Sequence, residues 1–246
     1  MYKRDIYTVL SNEPLTPAVY RMVLEGDTQY ITRSGQFINI ELEGKFLRRP
    51  ISVSDYDDKT ITIIYKVVGS GTDQMRGMAV GTKLDILTGL GNGFNTENEA
   101  KSPLLVGGGV GVPPLYNLCK RLLAEGKKPS VILGFNTKDE IFYEEEFKAL
   151  GVEVYCSTAD GSHGTKGFVT DVIREKALQF DYLYTCGPLP MLKALYNATE
   201  VDGEFSFEER MGCGFGACVG CTCKTKYGNK RICKEGPVLK REEIIW

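Results

Sequence analysis

The sequence predicts a multidomain β + α/β protein, and three observations along its 246 residues lead to this prediction. Up to about residue 98, short segments rich in Ile, Val, Tyr and Thr alternate with turn residues, a pattern typical of antiparallel strands. From residue 102 onward, strand-like and helix-like segments alternate strictly, which indicates a parallel sheet covered by helices. Near the C-terminus, five of the eight cysteines fall between Cys213 and Cys233.

The first domain, residues 1–99, is predicted to be an antiparallel barrel or sandwich. Its six predicted strands are separated by Gly, Pro, Asp and Asn turns, at residues 5–10, 18–24, 36–42, 51–54, 60–67 and 83–88. A short helical segment is predicted at 73–78. The polar residues 92–101 indicate a loop or linker to the next domain.

The second domain, residues 100–205, is predicted to be Rossmann-like, because each strand is followed by a helix. The predicted strands lie at 104–106, 130–135, 152–157 and 182–186, and the predicted helices at 112–125, 140–150, 169–178 and 189–199. The first strand-to-helix turn contains Gly107, Gly108, Gly109 and Gly111. Glycines there would let a pyrophosphate approach the backbone at a helix N-terminus, although a tight structural turn remains an alternative.

Two segments of the barrel are candidates for phosphate or flavin binding. Arg49-Pro50-Ile51-Ser52 places a guanidinium, a rigid bend and a hydroxyl within one strand entry, which could clamp a diphosphate. In Gly69-Ser70-Gly71-Thr72, we predict that Thr72 caps the following helix while free backbone N–H groups meet a phosphate. Taken alone, the second segment is better explained as a capped surface turn without a ligand.

The cysteine-rich tail, residues 206–246, is predicted to hold a [2Fe-2S] cluster. Four cysteines read Cys213-x4-Cys218-x2-Cys221-x11-Cys233, and this opening is the spacing of plant-type clusters. Structural zinc usually presents two short Cys-x2-Cys knuckles, and only one half of this set resembles that, so zinc is the weaker alternative. Cys223 is a spare cysteine, expected to pack or to point at solvent.

Composition excludes several classes of function and partner. The net charge is −2 and basic residues are scattered, so no nucleic-acid surface is predicted. Residues 102–119 carry no charge, but their glycines and paired prolines argue against a membrane-spanning helix. The N-terminus lacks the pattern of an export signal, so we expect a cytoplasmic protein whose thiols are reduced. Cys119 and Cys156 are then expected to be buried small side chains, like Cys186.

Together these motifs resemble the ferredoxin-NADP reductase superfamily of flavoproteins. The barrel with Arg-Pro-Ile-Ser, the Gly-Gly-Gly-Val-Gly turn and the closing Cys186-Gly187-Pro188 carry the resemblance over about four-fifths of the chain. The tail from Glu209 through Cys233 narrows it to the electron-transfer subunits of type B dihydroorotate dehydrogenase, over the whole length.

The resemblance implies cofactors, a partner and further site residues. FAD would lie on the barrel, against Arg49 to Ser52, the strand Ile64-Tyr65-Lys66, and Gly71 with Thr72. NAD would bind the second domain, with Cys186, Gly187 and Pro188 at the nicotinamide, although a buried cysteine before a turn explains Cys186 equally well. The partner would be an FMN-containing catalytic subunit that oxidises dihydroorotate in pyrimidine biosynthesis, in a heterotetramer of two plus two chains.

Asp160 is the residue from which we predict the choice between NAD and NADP. By resemblance it lies where NADP-specific relatives bind the 2′-phosphate with Ser and Arg. A carboxylate would repel that phosphate and accept a ribose hydroxyl, which favours NAD.

The order of electron transfer follows from the chemistry of the cofactors. A nicotinamide exchanges a hydride and the cluster accepts one electron, so a flavin must stand between them. Two other functions remain open: a reductase subunit acting on ferredoxin or sulfur compounds, and a nucleotide-binding module whose tail binds zinc.

Other conspicuous residues carry no predicted role. His163, the single histidine, is expected to be a loop residue, and the acidic run at 144–146 a solvated helix face. Trp246 is terminal, like the flavin-stacking aromatic residue of plant-type reductases, but ordinary packing is preferred because the tail intervenes.

Overall fold

A closed barrel of six antiparallel strands forms the N-terminal part of the protein, in a computed structural model that describes residues 2–246. The strands are β1 (Lys3–Pro14), β2 (Val19–Glu25), β3 (Phe37–Ile40), β4 (Arg49–Tyr56), β5 (Thr60–Lys66) and β6 (Lys83–Leu90). They pair in the order β1-β2-β5-β4-β3-β6. The structure confirms the barrel, one of the two predicted forms. Its closure pairs every strand edge.

The barrel interior is filled by β-branched and other apolar side chains that alternate along the strands. Val9, Ile63 and Ile86 are fully buried in this core. The helix α1 (Ser70–Arg76) follows β5 and places Met75 in the same core. It therefore packs against the barrel through this residue.

A parallel sheet with helices on both faces forms the second half of the chain, as predicted. Its strands are β7 (Leu104–Gly108), β8 (Ser130–Phe135), β9 (Glu153–Thr158), β10 (Thr165–Lys166), β11 (Leu183–Cys186) and β12 (Gly203–Ser206). Its helices are α2 (Pro113–Ala124), α3 (Glu144–Ala149), α4 (Val169–Glu175) and α5 (Leu189–Ala198). Leu105 packs with α2 and α3 on one face, whereas Val106 packs with α4 and α5 on the other.

The order of strands determines where this sheet can bind a ligand. The order is β10-β9-β8-β7-β11-β12, so the chain leaves β7 toward β8 on one side and later returns to β11 on the other. In open parallel sheets, ligands bind at the carboxyl ends of the strands at this reversal point. The glycine turn after β7 lies there.

The helix α3 is shorter than the helix predicted at 140–150. A 3₁₀ turn occupies Lys138–Glu140, and Tyr143 takes a left-handed conformation with φ of 67° directly before α3. Tyr143 is buried against Tyr116 and Phe142, so tertiary packing holds the break that helical periodicity had hidden.

The cysteine-rich tail is integrated into the same parallel sheet. It contains a hairpin of β13 (Thr222–Thr225) and β14 (Gly228–Arg231), followed by β15 (Val238–Lys240), which pairs antiparallel with β12. Asn92, in the segment predicted as a linker, donates to the carbonyl of Val238 at 2.7 Å and accepts from its N–H at 3.1 Å. The tail thus contacts both larger domains.

Glu204 is a carboxyl group buried where these parts meet. It lies on β12, is 3 % exposed, and accepts a hydrogen bond from the Asn95 N–H at 2.8 Å. Burial raises its pKa to about 7, even though the Asn95 hydrogen bond and nearby positive charges lower it.

We expect the Glu204 carboxyl to make the protein less stable as the pH rises from about 5 to about 7. The folded state holds the proton more tightly than the unfolded state, so stability falls until the pH exceeds the folded pKa. The loss is on the order of 2 kcal/mol. Chemical denaturation of the wild type and of Glu204→Gln across this range measures it, and parallel pH profiles of the two proteins would contradict it.

Candidate functional site

Four cysteines of the tail converge on one loop and the strands beside it. Cys221 and Cys233 are buried, Cys218 is exposed, and Cys213 is partly buried. Backbone N–H groups point at their sulfur atoms: the Ala217 N–H donates to Cys213 Sγ at 3.2 Å and the Cys233 N–H to Cys221 Sγ at 3.4 Å. Such donors surround the sulfurs of iron-sulfur clusters and stabilise their negative charge.

The loop takes its tight path through residues in left-handed conformations. Gly214 and Gly216 have φ values of 79° and 94°, and Val219 has 53°. Glycine adopts this conformation without steric strain, so the backbone can fold back round the sulfurs. The loop geometry therefore agrees with the glycine pattern of the sequence.

An arginine holds the loop at residues 213–221, here called the cluster loop, in place. Arg231, at the end of β14, donates to the Gly216 carbonyl at 2.6 Å and to Glu235 at 2.9 Å. The hydrogen bond from Arg231 lowers the pKa of Glu235 to about 2. Sequence reasoning missed both residues, although a basic and an acidic residue four apart beside Cys233 were a usable signal.

The thiols differ in how readily they ionise. Partial burial raises the pKa of Cys213, but backbone N–H groups of Cys218, Phe215 and Ala217 bring it down to about 6. Burial and the neighbouring Cys221 raise the pKa of Cys233 to about 12. Metal binding deprotonates cysteine ligands, so Cys213 is prepared for iron and Cys233 loses its proton when the metal binds.

This donor set fits a [2Fe-2S] cluster better than a zinc knuckle. Four thiols meet at one loop whose N–H groups face sulfur, and Cys233 has no neighbouring cysteine or histidine that would make a second knuckle. Cys223 lies on β13 opposite Lys230, half-buried against apolar side chains, in agreement with its predicted role as a spare cysteine.

The cluster loop rests directly on the barrel. Asn39 of β3 donates to the Cys213 carbonyl at 3.3 Å, across a separation of 174 residues. On the barrel, Asn39 is the cross-strand partner of Pro50 in β4. The loop that holds the cysteines therefore lies beside the segment predicted to bind a flavin. Asn39 interrupts the apolar strand Phe-Ile-Asn-Ile, a signal that sequence reasoning passed over.

The segment Arg49 to Ser52 is half-buried at the start of β4. A side chain at Gly71, in the first turn of α1, would overlap the Arg49 guanidinium. The glycine thus gives Arg49 room beside the helix N-terminus, where the first N–H groups have no intrahelical partner. These features fit a bound diphosphate.

Thr72 does not occupy the capping position predicted for it. The helix begins at Ser70, three residues earlier than predicted, because Gly69 is the extended residue that precedes it. The Thr72 hydroxyl accepts hydrogen bonds from the N–H groups of Val68 and Gly69, at 3.0 and 3.3 Å. The Thr72 hydroxyl is engaged with the backbone, so the backbone N–H of Thr72 is the group left for a ligand.

The strand Ile64-Tyr65-Lys66 is largely buried, and Lys66 is its partly exposed residue. Ile64 and Tyr65 are buried, and the Tyr65 hydroxyl donates to Asn12 at 2.8 Å. Of the three residues, Lys66 has the side chain that extends into solvent, and its ammonium lies 3.9 Å from the Glu140 carboxylate.

The glycine turn after β7 is shaped by close packing and by one left-handed residue. Side chains at Gly107, Gly108 and Gly111 would overlap Val112, Met191 and the Cys186 carbonyl, respectively. Gly109 has a φ of 52° and open space around it. Three glycines are therefore needed for packing, and the fourth leaves the backbone accessible at the N-terminal end of α2.

Two other predicted segments lie along the same edge of the sheet. Cys186 ends β11 beside the glycine turn, Gly187 follows it, and Pro188 precedes α5. Burial raises the Cys186 pKa to about 12, so this thiol is neutral at physiological pH. Asp160 follows β9, is exposed, and accepts hydrogen bonds from the Ser162 N–H and hydroxyl, which lower its pKa.

Comparison with known families agrees with this geometry. Residues 208–245 match the iron-sulfur cluster binding domain of dihydroorotate dehydrogenase B, and residues 105–196 match the oxidoreductase NAD-binding domain. The electron transfer subunit of dihydroorotate dehydrogenase B (NAD(+)) from Fusobacterium nucleatum is 48 % identical over 96 % of both chains. The chain belongs to this family.

Other relatives and solved structures agree with the family. The corresponding subunit of Bacillus velezensis is 45 % identical, over 98 % of this chain and 99 % of its own. A solved NADH-dependent reduced ferredoxin-NADP oxidoreductase is similar with a TM-score of 0.89 and 29 % identity, covering 98 % of this chain and 90 % of the other. A phthalate dioxygenase reductase, with 19 % identity and a TM-score of 0.65, shares the fold over 79 % of this chain and 64 % of its own.

Membership of the family resolves the main alternatives. The chain is an oxidoreductase subunit that transfers electrons, and a catalytic subunit is its partner. The tail is an iron-sulfur binding domain, which removes the zinc-tailed module from consideration. Within residues 2–246, the helices are all too short or too polar to cross a membrane.

Proposed function

We propose that this chain takes electrons from the FMN of a dihydroorotate-oxidising catalytic subunit and delivers them to NAD⁺, in the biosynthesis of pyrimidines. Within the chain, the route runs from the [2Fe-2S] cluster to FAD and then to the nicotinamide. The flavin supplies the conversion between single electrons and a hydride. The observation that carries this route is the contact between Asn39 and Cys213, because it joins the cysteine loop to the barrel strand paired with Pro50.

The proposed cluster ligands are Cys213, Cys218, Cys221 and Cys233. Backbone N–H groups donate to the sulfurs and hold them in place. Arg231 fixes the loop by donating to the Gly216 carbonyl. Cys218 is the exposed ligand, so the partner subunit can approach the cluster on that side.

The proposed FAD site lies on the barrel. Arg49 and the N–H groups at Gly71 and Thr72 bind the diphosphate, while Pro50, Ile51 and Ser52 border the flavin ring together with the strand Ile64-Tyr65-Lys66. Lys66 lies at the end of that strand and can reach toward the second domain, where it meets Glu140.

The proposed NAD site lies at the carboxyl edge of the parallel sheet. The turn Gly107 to Gly111 holds the pyrophosphate, Asp160 the adenosine ribose, and Cys186 to Pro188 the nicotinamide end. The helix α2, which begins at this turn, also contacts the barrel: Asn117 donates to Asp55 of β4 at 2.8 Å. The two nucleotide sites are therefore held in one arrangement.

We also propose the domain limits 1–99, 100–205 and 206–246, and an assembly of two of these chains with two catalytic subunits. The eight cysteines form no disulfide with one another, a state typical of proteins in the reducing cytoplasm, where we place the complex.

The decisive experiment is reconstitution with the catalytic subunit. The chain, carrying FAD and cluster, is mixed with an FMN-containing dihydroorotate dehydrogenase, and the complex is isolated by gel filtration. We expect dihydroorotate to reduce NAD⁺ only in the complex, and native mass spectrometry to give two copies of each chain. A stable complex that reduces ferredoxin or sulfur compounds but not NAD⁺ would contradict the proposal.

Asp160→Ala is expected to narrow the preference for NADH over NADPH by about tenfold, a change of about 1.4 kcal/mol. The carboxylate accepts a hydrogen bond from the ribose and repels a 2′-phosphate. Its removal therefore weakens the binding of NADH and removes the repulsion of NADPH. Dye reduction with each cofactor gives kcat/KM for both. Asp139→Ala, a change of carboxylate on the neighbouring 3₁₀ turn, is the control. Equal ratios in wild type and Asp160→Ala would show that this residue does not select the cofactor.

A further inference from the structure

We propose that Glu144, Cys156 and His163 bind one zinc ion at a site separate from the redox centres. Their ligand atoms lie within 4.8 Å of one another, one from each side chain. The three residues come from α3, β9 and the loop after β9. Neither the proposed cluster site nor the proposed nucleotide sites use them.

The side-chain geometry brings three different donor types to one point. His163 Nε2 lies 2.9 Å from Glu144 Oε2, and the Cys156 sulfur lies within 4.8 Å of the ligand atoms of both. Thiolate, imidazole and carboxylate are all ligands that Zn²⁺ takes in proteins. Small shifts of the exposed imidazole would convert the existing contact into joint coordination of one ion.

The backbone holds the three residues in this arrangement. Gly164 has a φ of 65°, and a side chain there would overlap the Cys156 carbonyl, so the loop is packed directly on β9. The Thr158 hydroxyl donates to the His163 carbonyl at 2.8 Å and accepts from the His163 N–H at 3.0 Å. The backbone of His163 is therefore held beside β9 before any ion binds, and the imidazole needs only a small shift.

The charges of the site suit a divalent ion. A thiolate and a carboxylate neutralise Zn²⁺, and the proton of the Cys156 thiol passes to solvent as the sulfur binds. The other oxygen of Glu144 is held by Lys148 at 2.9 Å, which orients the carboxylate and leaves Oε2 directed at the histidine. Glu144 is thus half-buried in a network, whereas the sequence predicted a solvated face for 144–146.

The surroundings leave room for a fourth ligand. The three residues line an open cavity of about 610 Å³, together with Tyr155, Lys166 and other residues. Three protein ligands and one water complete a tetrahedron, the arrangement of zinc sites that keep an exchangeable position. One sulfur and one imidazole favour zinc over magnesium or calcium, which prefer oxygen ligands alone.

Zinc binding to the full chain, with its flavin and its full complement of iron and acid-labile sulfide, tests the proposal. Isothermal titration with Zn²⁺ is expected to give one site per chain, without loss of iron. X-ray absorption at the zinc edge is expected to show one sulfur at about 2.3 Å and nitrogen or oxygen neighbours at about 2.0–2.1 Å. Absence of saturable zinc binding, or a spectrum without sulfur, would overturn the proposal.

Variants separate this site from other thiols and carboxylates. Cys156→Ala and His163→Gln are each expected to weaken zinc binding by more than about 100-fold, beyond the usual loss of a residue that only supports a ligand. His163 lies on an exposed loop, so its variant keeps the fold. Cys119→Ala, another buried thiol, and Glu175→Gln, on the same cavity wall, are expected to bind zinc as the wild type does. Unchanged affinity in His163→Gln would overturn the assignment.

Discussion

Replacement of Cys218 with serine is expected to abolish dihydroorotate-dependent reduction of NAD⁺ while leaving the oxidation of NADH by small dyes. Cys218 is the exposed member of the cysteine set, and loss of a ligand costs more than the roughly 10–100-fold seen when a supporting residue is lost. Dye reduction uses the barrel and the glycine turn, which lie outside the cluster loop, so its rate should stay within about twofold of wild type. Steady-state assays of the reconstituted complex measure both activities.

Cys223→Ser is the matched control for this experiment. Cys223 lies within ten residues of all four proposed ligands, but its side chain packs against the apolar core. The variant should retain the paramagnetic signal of the reduced cluster and both activities. If Cys223→Ser loses the signal and Cys218→Ser keeps it, the two cysteines have exchanged roles; loss of both activities in Cys218→Ser would show that the cluster also supports the flavin site.

Replacement of Arg49 with alanine is expected to weaken FAD binding by about 100-fold, because a bidentate, charge-assisted contact to the diphosphate is lost. Arg49 lies against Gly71 at the N-terminal end of α1, the place where the barrel offers free backbone N–H groups. Arg49→Lys keeps the charge without the planar fork and should fall between wild type and alanine. Fluorescence quenching of FAD titrated with the apoprotein measures each affinity.

Arg48→Ala is the control for Arg49. The Arg48 guanidinium is held by Asp85 at 2.7 Å and also contacts Glu41, so it belongs to the ion pairs of the barrel. Its loss should lower stability and change the affinity for FAD by less than about threefold. Equal losses of FAD affinity in Arg48→Ala and Arg49→Ala would mean that barrel stability, not a phosphate contact, explains the effect.

Local chemistry in the sequence was enough to predict most strands and helices of the two larger domains and the nature of the tail. Six barrel strands and the strict strand-helix succession were predicted because alternation and turn residues act over a few neighbours. Two predicted helix starts were wrong. The helix α1 begins at Ser70 and α3 at Glu144, because Gly69 and Tyr143 take conformations that packing selects. Packing across the chain also created β12 and β15, which have too little local pattern to be predicted.

The candidate site was predicted in its parts but not in its arrangement. The spacing of Cys213, Cys218, Cys221 and Cys233 belongs to a loop around a cluster, so the sequence by itself determined the cofactor chemistry of the tail. The contact of Asn39 with Cys213 and the role of Asn92 depend on partners more than 100 residues away. Only the tertiary structure decides such contacts, because they result from the packing of whole sheets against one another. Short-range ligand spacing therefore fixed what can bind, and long-range packing placed the cluster loop beside the barrel.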